Sequence, residues 1–284
     1  MSTIRKISQD MLKVLKFLAT EMRMLHGDIK PENVMLVYDD AGQLSAARVI
    51  DFGLAFRSTG DLKRNMYIQS RWYRSPEVLL GIPATPQIDM WSFGCMLVEM
   101  FTGVCPFRGN DSYDQMLLIM DAIGMPSQQL RSNCEDATLE KLDEMTIIVT
   151  QRWKEHFDLA AGQTRSQTEI QQRLKRKLLG YRPRRDDSDE QHQDLVDLIA
   201  RLLREDPYER LSAADALTHP FLSLPRGAAP ARYDATAAAS HVASSQATAE
   251  KELSKLSISD AAKRQSSGAG IHRCFHAEFA ERAC

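Results

Sequence analysis

His26-Gly27-Asp28-Ile29-Lys30-Pro31-Glu32-Asn33 decides how the rest of this chain reads. A carboxylate (Asp28) and a carboxamide (Asn33) stand five positions apart in a loop that leads into the apolar run Val34-Met35-Leu36-Val37-Tyr38. Such a pair can converge on one point, the acid accepting a proton while the amide oxygen is offered to a hard cation. Eighteen residues beyond Asn33 comes Asp51-Phe52-Gly53, at the end of a second short run, Ala47-Arg48-Val49-Ile50. Asp39-Asp40-Ala41-Gly42 between the runs is turn chemistry. The two runs therefore read as a β-hairpin that brings Asp51 beside Asn33, with Gly53 giving backbone freedom behind it. Carboxylate, amide and the Lys30 ammonium around one point suit Mg²⁺ and phosphate oxygens.

Outward from the hairpin the pattern is helical. Ile4, Ile7, Met11, Leu15 and Leu18 recur every three or four residues over 3–22, one face of an amphipathic helix widened by Leu12, Val14 and Phe17. A strongly apolar helix is predicted over 88–102, with Gly103 as its stop signal. Helical patterns also occupy 113–124, 137–158 and 192–204. The Pro- and charge-rich stretch 181–190 reads as a loop, and Pro207 and Pro220 bracket one more short helix. Beyond Leu224 the chain is dominated by Ala, Ser and Thr, so 225–284 reads as a disordered tail with a weak helical pattern at Leu253, Leu256 and Ile258. There is no internal repeat. The fold class expected is mainly α with one small hairpin.

Composition narrows the function classes. Hydrophobic residues are 43% of the 284 and charged residues 26%, the mix of a globular protein. With 36 basic against 38 acidic side chains the net charge is -2, so no general affinity for nucleic acid or anionic membrane is expected. No apolar stretch approaches the ~20 residues that span a bilayer. Five scattered cysteines without CxxC spacing argue against a disulfide scaffold or a structural zinc site and for a reducing, intracellular compartment, cytoplasm or nucleus.

The ordered set of HxDxKxxN, Asp-Phe-Gly and Ser75-Pro76-Glu77 resembles the C-terminal lobe of a eukaryotic protein kinase over residues 3–223. The kinase domain is placed at 1–224, with 127–190 as an insert region typical of the CMGC group. Tyr67-Ile68-Gln69-Ser70-Arg71-Trp72-Tyr73-Arg74 is similar to the activation segment of that group, above all the dual-specificity tyrosine-regulated kinases (DYRK). Phe17-Leu18-Ala19-Thr20, Gly124-Met125-Pro126 and the non-Arg residue before Asp28 agree with the DYRK family. The homeodomain-interacting kinases, another CMGC branch, share the aromatic at position 72.

The resemblance implies roles. Asp28 would orient the substrate hydroxyl and accept its proton, and Lys30, assisted by Ser70, would neutralise charge on the transferred phosphoryl group. Asn33 and Asp51 would hold Mg²⁺. Lys30, Glu32, Asn33, Met35 and Asp51 would contact ATP, with Met35 as the apolar floor beneath the adenine. Phosphorylated Tyr67 would be clamped by Arg71 and Arg74. Glu77 and Arg210 would form a buried ion pair, Asp89 would accept from the catalytic-loop backbone, and His26, Phe52 and Gly53 would be structural. The expected reaction is transfer of the ATP γ-phosphoryl to Ser/Thr hydroxyls of proteins, with Pro following the acceptor, plus self-directed Tyr phosphorylation.

The family's glycine-rich loop, Val-Ala-Ile-Lys lysine, helix C glutamate and hinge have no counterpart in the sequence. The expectation is a truncated chain, inactive alone, that exposes apolar surface around Met24, Met35 and Phe52. The alternative is a catalytically dead kinase lobe serving as a binding or scaffold module. The basic run Arg173-Lys175-Arg176-Lys177 with Arg182, Arg184 and Arg185 is balanced by Asp186, Asp187, Asp189 and Glu190, and reads as a solvated loop ahead of a docking patch. His272, Cys274 and His276 lack a fourth ligand, and no metal is expected there.

Overall fold

The computed structural model describes residues 1–58, 67–157 and 189–223. Helix α1 (Ser2–Phe17) buries Ile4, Ile7, Met11, Leu12 and Leu15, the face set by the three-and-four spacing. It runs into a π turn (Leu18–Met22) that stops at Arg23, whose φ of 50° is left-handed. Strand β1 (Met24–Leu25) pairs antiparallel with β4 (Phe56–Arg57). A 3-10 turn (Pro31–Asn33) leads into β2 (Val34–Tyr38), which pairs antiparallel with β3 (Leu44–Val49) from Val34↔Val49 to Tyr38↔Leu44, with a bulge at Val37/Tyr38. The Asp39 carboxylate closes the hairpin turn by accepting from Ala41 N–H at 3.0 Å and Gln43 N–H at 2.8 Å.

A second 3-10 turn (Arg71–Tyr73) and the one-turn helix α2 (Pro76–Leu79) precede α3 (Gln87–Thr102). Helix α3 is apolar around most of its girth and is buried accordingly, with Trp91, Phe93, Cys95, Met96 and Leu97 all at 0% exposure. Gly103 at φ 79° ends it. Then follow α4 (Ser112–Ile123), α5 (Gln128–Ser132), α6 (Asp136–Phe157), α7 (Asp189–Leu202) and α8 (Ala213–Ala216), and a last 3-10 turn (Pro220–Leu222).

Helices α1, α3 and α7 share the main core, and a second cluster (Met116, Met120, Leu130, Leu142, Met145, Val149) joins α4, α5 and α6. A Cβ on Gly94 would stand 2.9 Å from Leu203, so glycine lets α3 and α7 approach closely. Polar ties fix α1 under the hairpin and against the last turn. Asp10 Oδ2 accepts from Ala47 N–H at 3.0 Å, Arg5 Nε donates to Phe221 O at 2.7 Å, and Gln9 Nε2 donates to Leu222 O at 2.8 Å.

Three expectations need correction. The second strand begins at Leu44 and stops at Val49, although Ile50 N–H still donates to Asn33 O at 2.9 Å. Met24 is 7% exposed because its pairing with β4 covers it, whereas Met35 is 37% exposed and Phe52 half-buried. Asp189 and Glu190 open α7 where a loop was expected; 181–188, the tail from 224 and the His272-Cys274-His276 set lie outside the described residues. Among the described residues no helix is long and apolar enough to cross a membrane.

Candidate active site

The site hangs from α3. Asp89, in its first turn, is buried and accepts from the backbone N–H of His26 (2.6 Å) and of Gly27 (2.9 Å) through its two carboxylate oxygens. Burial pushes its carboxyl up to about 6, the two N–H donors working against that rise. Gly27 has φ 74°, and a Cβ there would come 2.9 Å from Leu54 O, so the residue before Asp28 is confined to glycine by both backbone and space.

His26 is fully buried with its ring edge against Phe52, 4.9 Å between centroids. Its Nδ1 accepts from Asp28 N–H at 3.3 Å, which puts the proton on Nε2, facing Ile50 O at 3.2 Å. Burial lowers its pKa. The ring is thus a neutral strut with both nitrogens engaged.

Around Asp28 the loop and the segment at Ser70 meet. Asp28 Oδ1 accepts from the backbone N–H of Ser70 (3.1 Å) and from its hydroxyl (2.8 Å). Oδ2 faces Lys30 Nζ at 2.9 Å and accepts from Asn33 Nδ2 at 3.0 Å. Lys30 Nζ also donates to Ser70 Oγ at 2.9 Å, and Asn33 Nδ2 to Asp28 O at 2.7 Å. Burial raises the Asp28 pKa, but hydrogen bonds from Lys30, Ser70 and Asn33 outweigh it and hold the carboxyl below its usual value. An ionised carboxylate held on both oxygens is an acceptor of defined direction, and an incoming hydroxyl would take the place of one of its four present donors.

Asn33 and Asp51 fit the donor chemistry of Mg²⁺. The Asn33 amide nitrogen is committed to Asp28, so its oxygen is the end left to offer a hard cation. Asp51 is exposed at φ 61°, a left-handed geometry, and its Oδ1 accepts from Gly53 N–H at 3.1 Å. Two oxygen ligands from these side chains would leave coordination positions for water and phosphate, as this ion prefers.

The protein kinase domain model matches residues 1–222. This chain belongs to the protein kinase domain family. It is 33% identical over 234 residues to dual specificity tyrosine-phosphorylation-regulated kinase 3 of Rattus norvegicus, covering 78% of this chain and 36% of that one. It is 34% identical over 245 residues to homeodomain-interacting protein kinase 4 of Mus musculus, covering 78% and 39%. The chain thus spans less than two fifths of the length of these curated relatives, both CMGC-group kinases.

In this kinase domain Glu77 and Arg210 form a two-pronged pair, Nη1 to Oε1 at 2.7 Å and Nη2 to Oε2 at 2.9 Å, with both side chains at most 1% exposed. Glu32 is exposed, and Met35 lies on β2 beside the site. Tyr67 is 75% exposed with its ring 4.4 Å from the Arg74 guanidinium, and Arg74 lowers its pKa. Arg71 does not join that pair: its Nη1 donates to Asn110 O at 2.6 Å, because the 3-10 turn at 71–73 directs it toward the loop before α4. Arg74 stands against the Tyr67 ring, and Arg71 adds a weaker charge effect that also lowers the Tyr67 pKa.

Sequence reasoning missed Gln69. It is 1% exposed at φ 60°, and its side chain donates to Ile88 O (2.9 Å) and Ser92 Oγ (2.8 Å) while accepting from Ser75 N–H (3.0 Å). Its carbonyl is taken by Arg74, Nη2 at 2.8 Å and Nε at 3.3 Å. Nothing in the spacing of the segment marks a buried left-handed glutamine; only the folded loop does.

Proposed function

We propose that the protein is a dual-specificity serine/threonine kinase that transfers the γ-phosphoryl of ATP to protein hydroxyls. The observation that carries this reading is the Asp28 carboxylate, ionised and gripped by Ser70, Lys30 and Asn33. Asp28 orients the acceptor hydroxyl and takes its proton. Lys30, poised by Ser70, neutralises charge on the group in transfer. Asn33 and Asp51 hold Mg²⁺, which when bound shields the phosphate oxygens. Glu32 and Met35 border the nucleotide, with the exposed Met35 side chain as a floor for the adenine. Tyr67 is the self-phosphorylated residue, its phosphate drawn to Arg74 and, by release from Asn110, to Arg71.

The Gln69–Arg74 contact supports proline after the acceptor. A substrate residue lying on this loop finds the Gln69 carbonyl already bonded, so its own N–H would lose a partner on leaving water. Proline has no N–H to strand.

Titration of the 284-residue chain with Mg-ATP by calorimetry, followed by phosphotransfer to a Ser-Pro peptide, tests the reading. Where transfer occurs, a fall of at least about a hundredfold in Asp28→Asn is expected. Transfer indifferent to Asp28→Asn overturns the reading; absence of ATP binding assigns the kinase chemistry to a longer parent of this chain, and equal peptide capture by both forms without transfer points to the scaffold alternative.

A further inference from the structure

Directly beyond Ser70, two successive side chains cross to the loop before α4. Arg71 Nη1 donates to Asn110 O at 2.6 Å, and Trp72 Nε1 donates to Gly109 O at 3.2 Å. Arg108, from that same loop, returns the contact: its guanidinium lies over the Trp72 ring, 4.7 Å from the centroid. Trp72 is 39% exposed and Arg108 is exposed, so the stacked pair faces solvent.

The loop is firmly held. Gly109 N–H donates to Gln115 Oε1 at 2.9 Å, and a Cβ on Gly109 would come within 2.5 Å of the Gln115 backbone. Asp111 accepts from Asp114 N–H at 2.8 Å, and Asp114 accepts from Asn110 N–H and Nδ2 at 3.0 Å each. The nearby acids are thus turned on donors of their own turn. Among the described residues Arg108 has no carboxylate partner, and the buried Arg71 Nε makes no hydrogen bond.

We infer that Arg108, stacked on Trp72 beside Arg71, forms a subsite for an acidic side chain of the protein substrate, a few residues beyond the position after the acceptor. This deepens the kinase reading and rests on it for the direction of the bound peptide. A guanidinium held over an indole face has lost part of its rotamer freedom while its N–H groups stay available to a carboxylate. The subsite is continuous in sequence with Ser70, which binds Asp28, so it lies along the path of the same peptide. A carboxylate suits it better than a phosphate. Arg71 Nη1 is already engaged at Asn110, and a dianion would meet the Asp111 and Asp114 charges in the same turn.

The test is fluorescence anisotropy of labelled peptides on the 284-residue chain at low salt, comparing a Ser-Pro peptide followed by alanines with one followed by glutamates. The glutamate peptide binds about threefold to fivefold more tightly, and the gap closes as salt is added. Arg108→Gln abolishes the preference, Arg108→Lys keeps part of it, and Arg108→Glu transfers it to a lysine peptide. Because the side chain is exposed, these variants leave the thermal midpoint unchanged. Equal affinities on the native chain, undetectable binding of every peptide, or the same preference in Arg108→Glu overturns the subsite. A phosphoserine peptide that binds much more tightly than the glutamate one overturns the choice of a carboxylate. Phosphotransfer to both peptides at equal KM refutes the subsite and leaves the kinase reading standing; a glutamate preference in binding without any transfer does the reverse.

Discussion

Ser70 gives Asp28 two hydrogen bonds to the same carboxylate oxygen, one from its backbone N–H at 3.1 Å and one from its hydroxyl at 2.8 Å. Forty-two residues apart in the chain, the two are joined through both main chain and side chain. The hydroxyl also accepts from Lys30, so one small side chain sets the positions of the carboxylate and the ammonium together.

Ser70→Ala keeps the backbone contact and loses the hydroxyl. A hydrogen bond to a charged group contributes about 1.5–3 kcal/mol, so kcat/KM is expected to fall roughly tenfold to a hundredfold. The loss falls mainly on kcat, because the geometry of the reacting groups is what changes. Ser70→Thr restores most of the rate. Steady-state kinetics on a peptide substrate reads both, and a Ser70→Ala rate equal to the parent counts against the arrangement.

The Glu77–Arg210 pair is sealed from water, so losing one partner strands the other charge. Glu77→Ala is expected to lower unfolding stability by about 3–5 kcal/mol. Arg210 also donates to Arg204 O, Gln87 O and Glu205 O, so Arg210→Ala costs at least as much. Urea unfolding of both single variants and the double variant checks this. The double variant should be less damaged than the two single effects added together, since neither charge is then left alone.

How far the sequence carried the reading depends on the kind of signal. Helix α1 was legible because Ile4, Ile7, Met11 and Leu15 repeat at helical spacing, and the end of α3 because Gly103 stands where a left-handed residue is required. The backbone donors on Asp89 and the closeness of Asn33 to Asp28 agree with what the ordered motifs led to expect, while Asp51 shows only its local bond from Gly53 N–H. What stayed hidden depends on contacts between segments far apart in the chain. The two-residue strands β1 and β4 carry too few residues for a period, and only their mutual pairing defines them. The Arg71 contact with Asn110 was not legible because spacing gives the reach of a side chain and not its direction, which the 3-10 turn sets. Gln69 gave no signal because its role is a set of hydrogen bonds that exist only once α3 and residues 73–75 surround it.

Asp89 makes stability depend on pH with a definite sign. The folded carboxyl sits at about 6, raised by burial above its ordinary 3.8. Below the ordinary value both states are protonated and the group's contribution is full. Between that value and about 6 the folded state keeps a proton that the unfolded state has lost, so stability falls as pH rises through this window. The span corresponds to roughly 3 kcal/mol. Asp89→Asn removes this slope: the acceptor lost to one of the His26 and Gly27 N–H groups costs about 1–3 kcal/mol at about pH 4, and because only the parent then loses stability with rising pH, the difference narrows or reverses by about pH 7. Urea melts at about pH 4 and about pH 7 measure the difference; an identical slope in parent and variant refutes the assignment.

The proposed proline preference is expected to trace to the Gln69 carbonyl and not to the shape of the proline ring. Arg74 occupies that carbonyl through Nη2 at 2.8 Å and Nε at 3.3 Å, while the left-handed backbone of Gln69 is held by hydrogen bonds from both ends of its own side chain. An alanine after the acceptor brings an N–H with no partner, a loss of about 1–3 kcal/mol or roughly fivefold to a hundredfold in kcat/KM relative to proline. N-methylalanine at the same position separates the two causes, since it lacks the N–H and also lacks the ring. The N-methyl peptide is expected to match the proline peptide within about twofold. Arg74→Leu, by releasing the carbonyl to accept from a substrate N–H, should bring the alanine peptide up toward the proline peptide. An N-methyl peptide as poor as the alanine one would place the selectivity in ring packing and leave the carbonyl without a part in it.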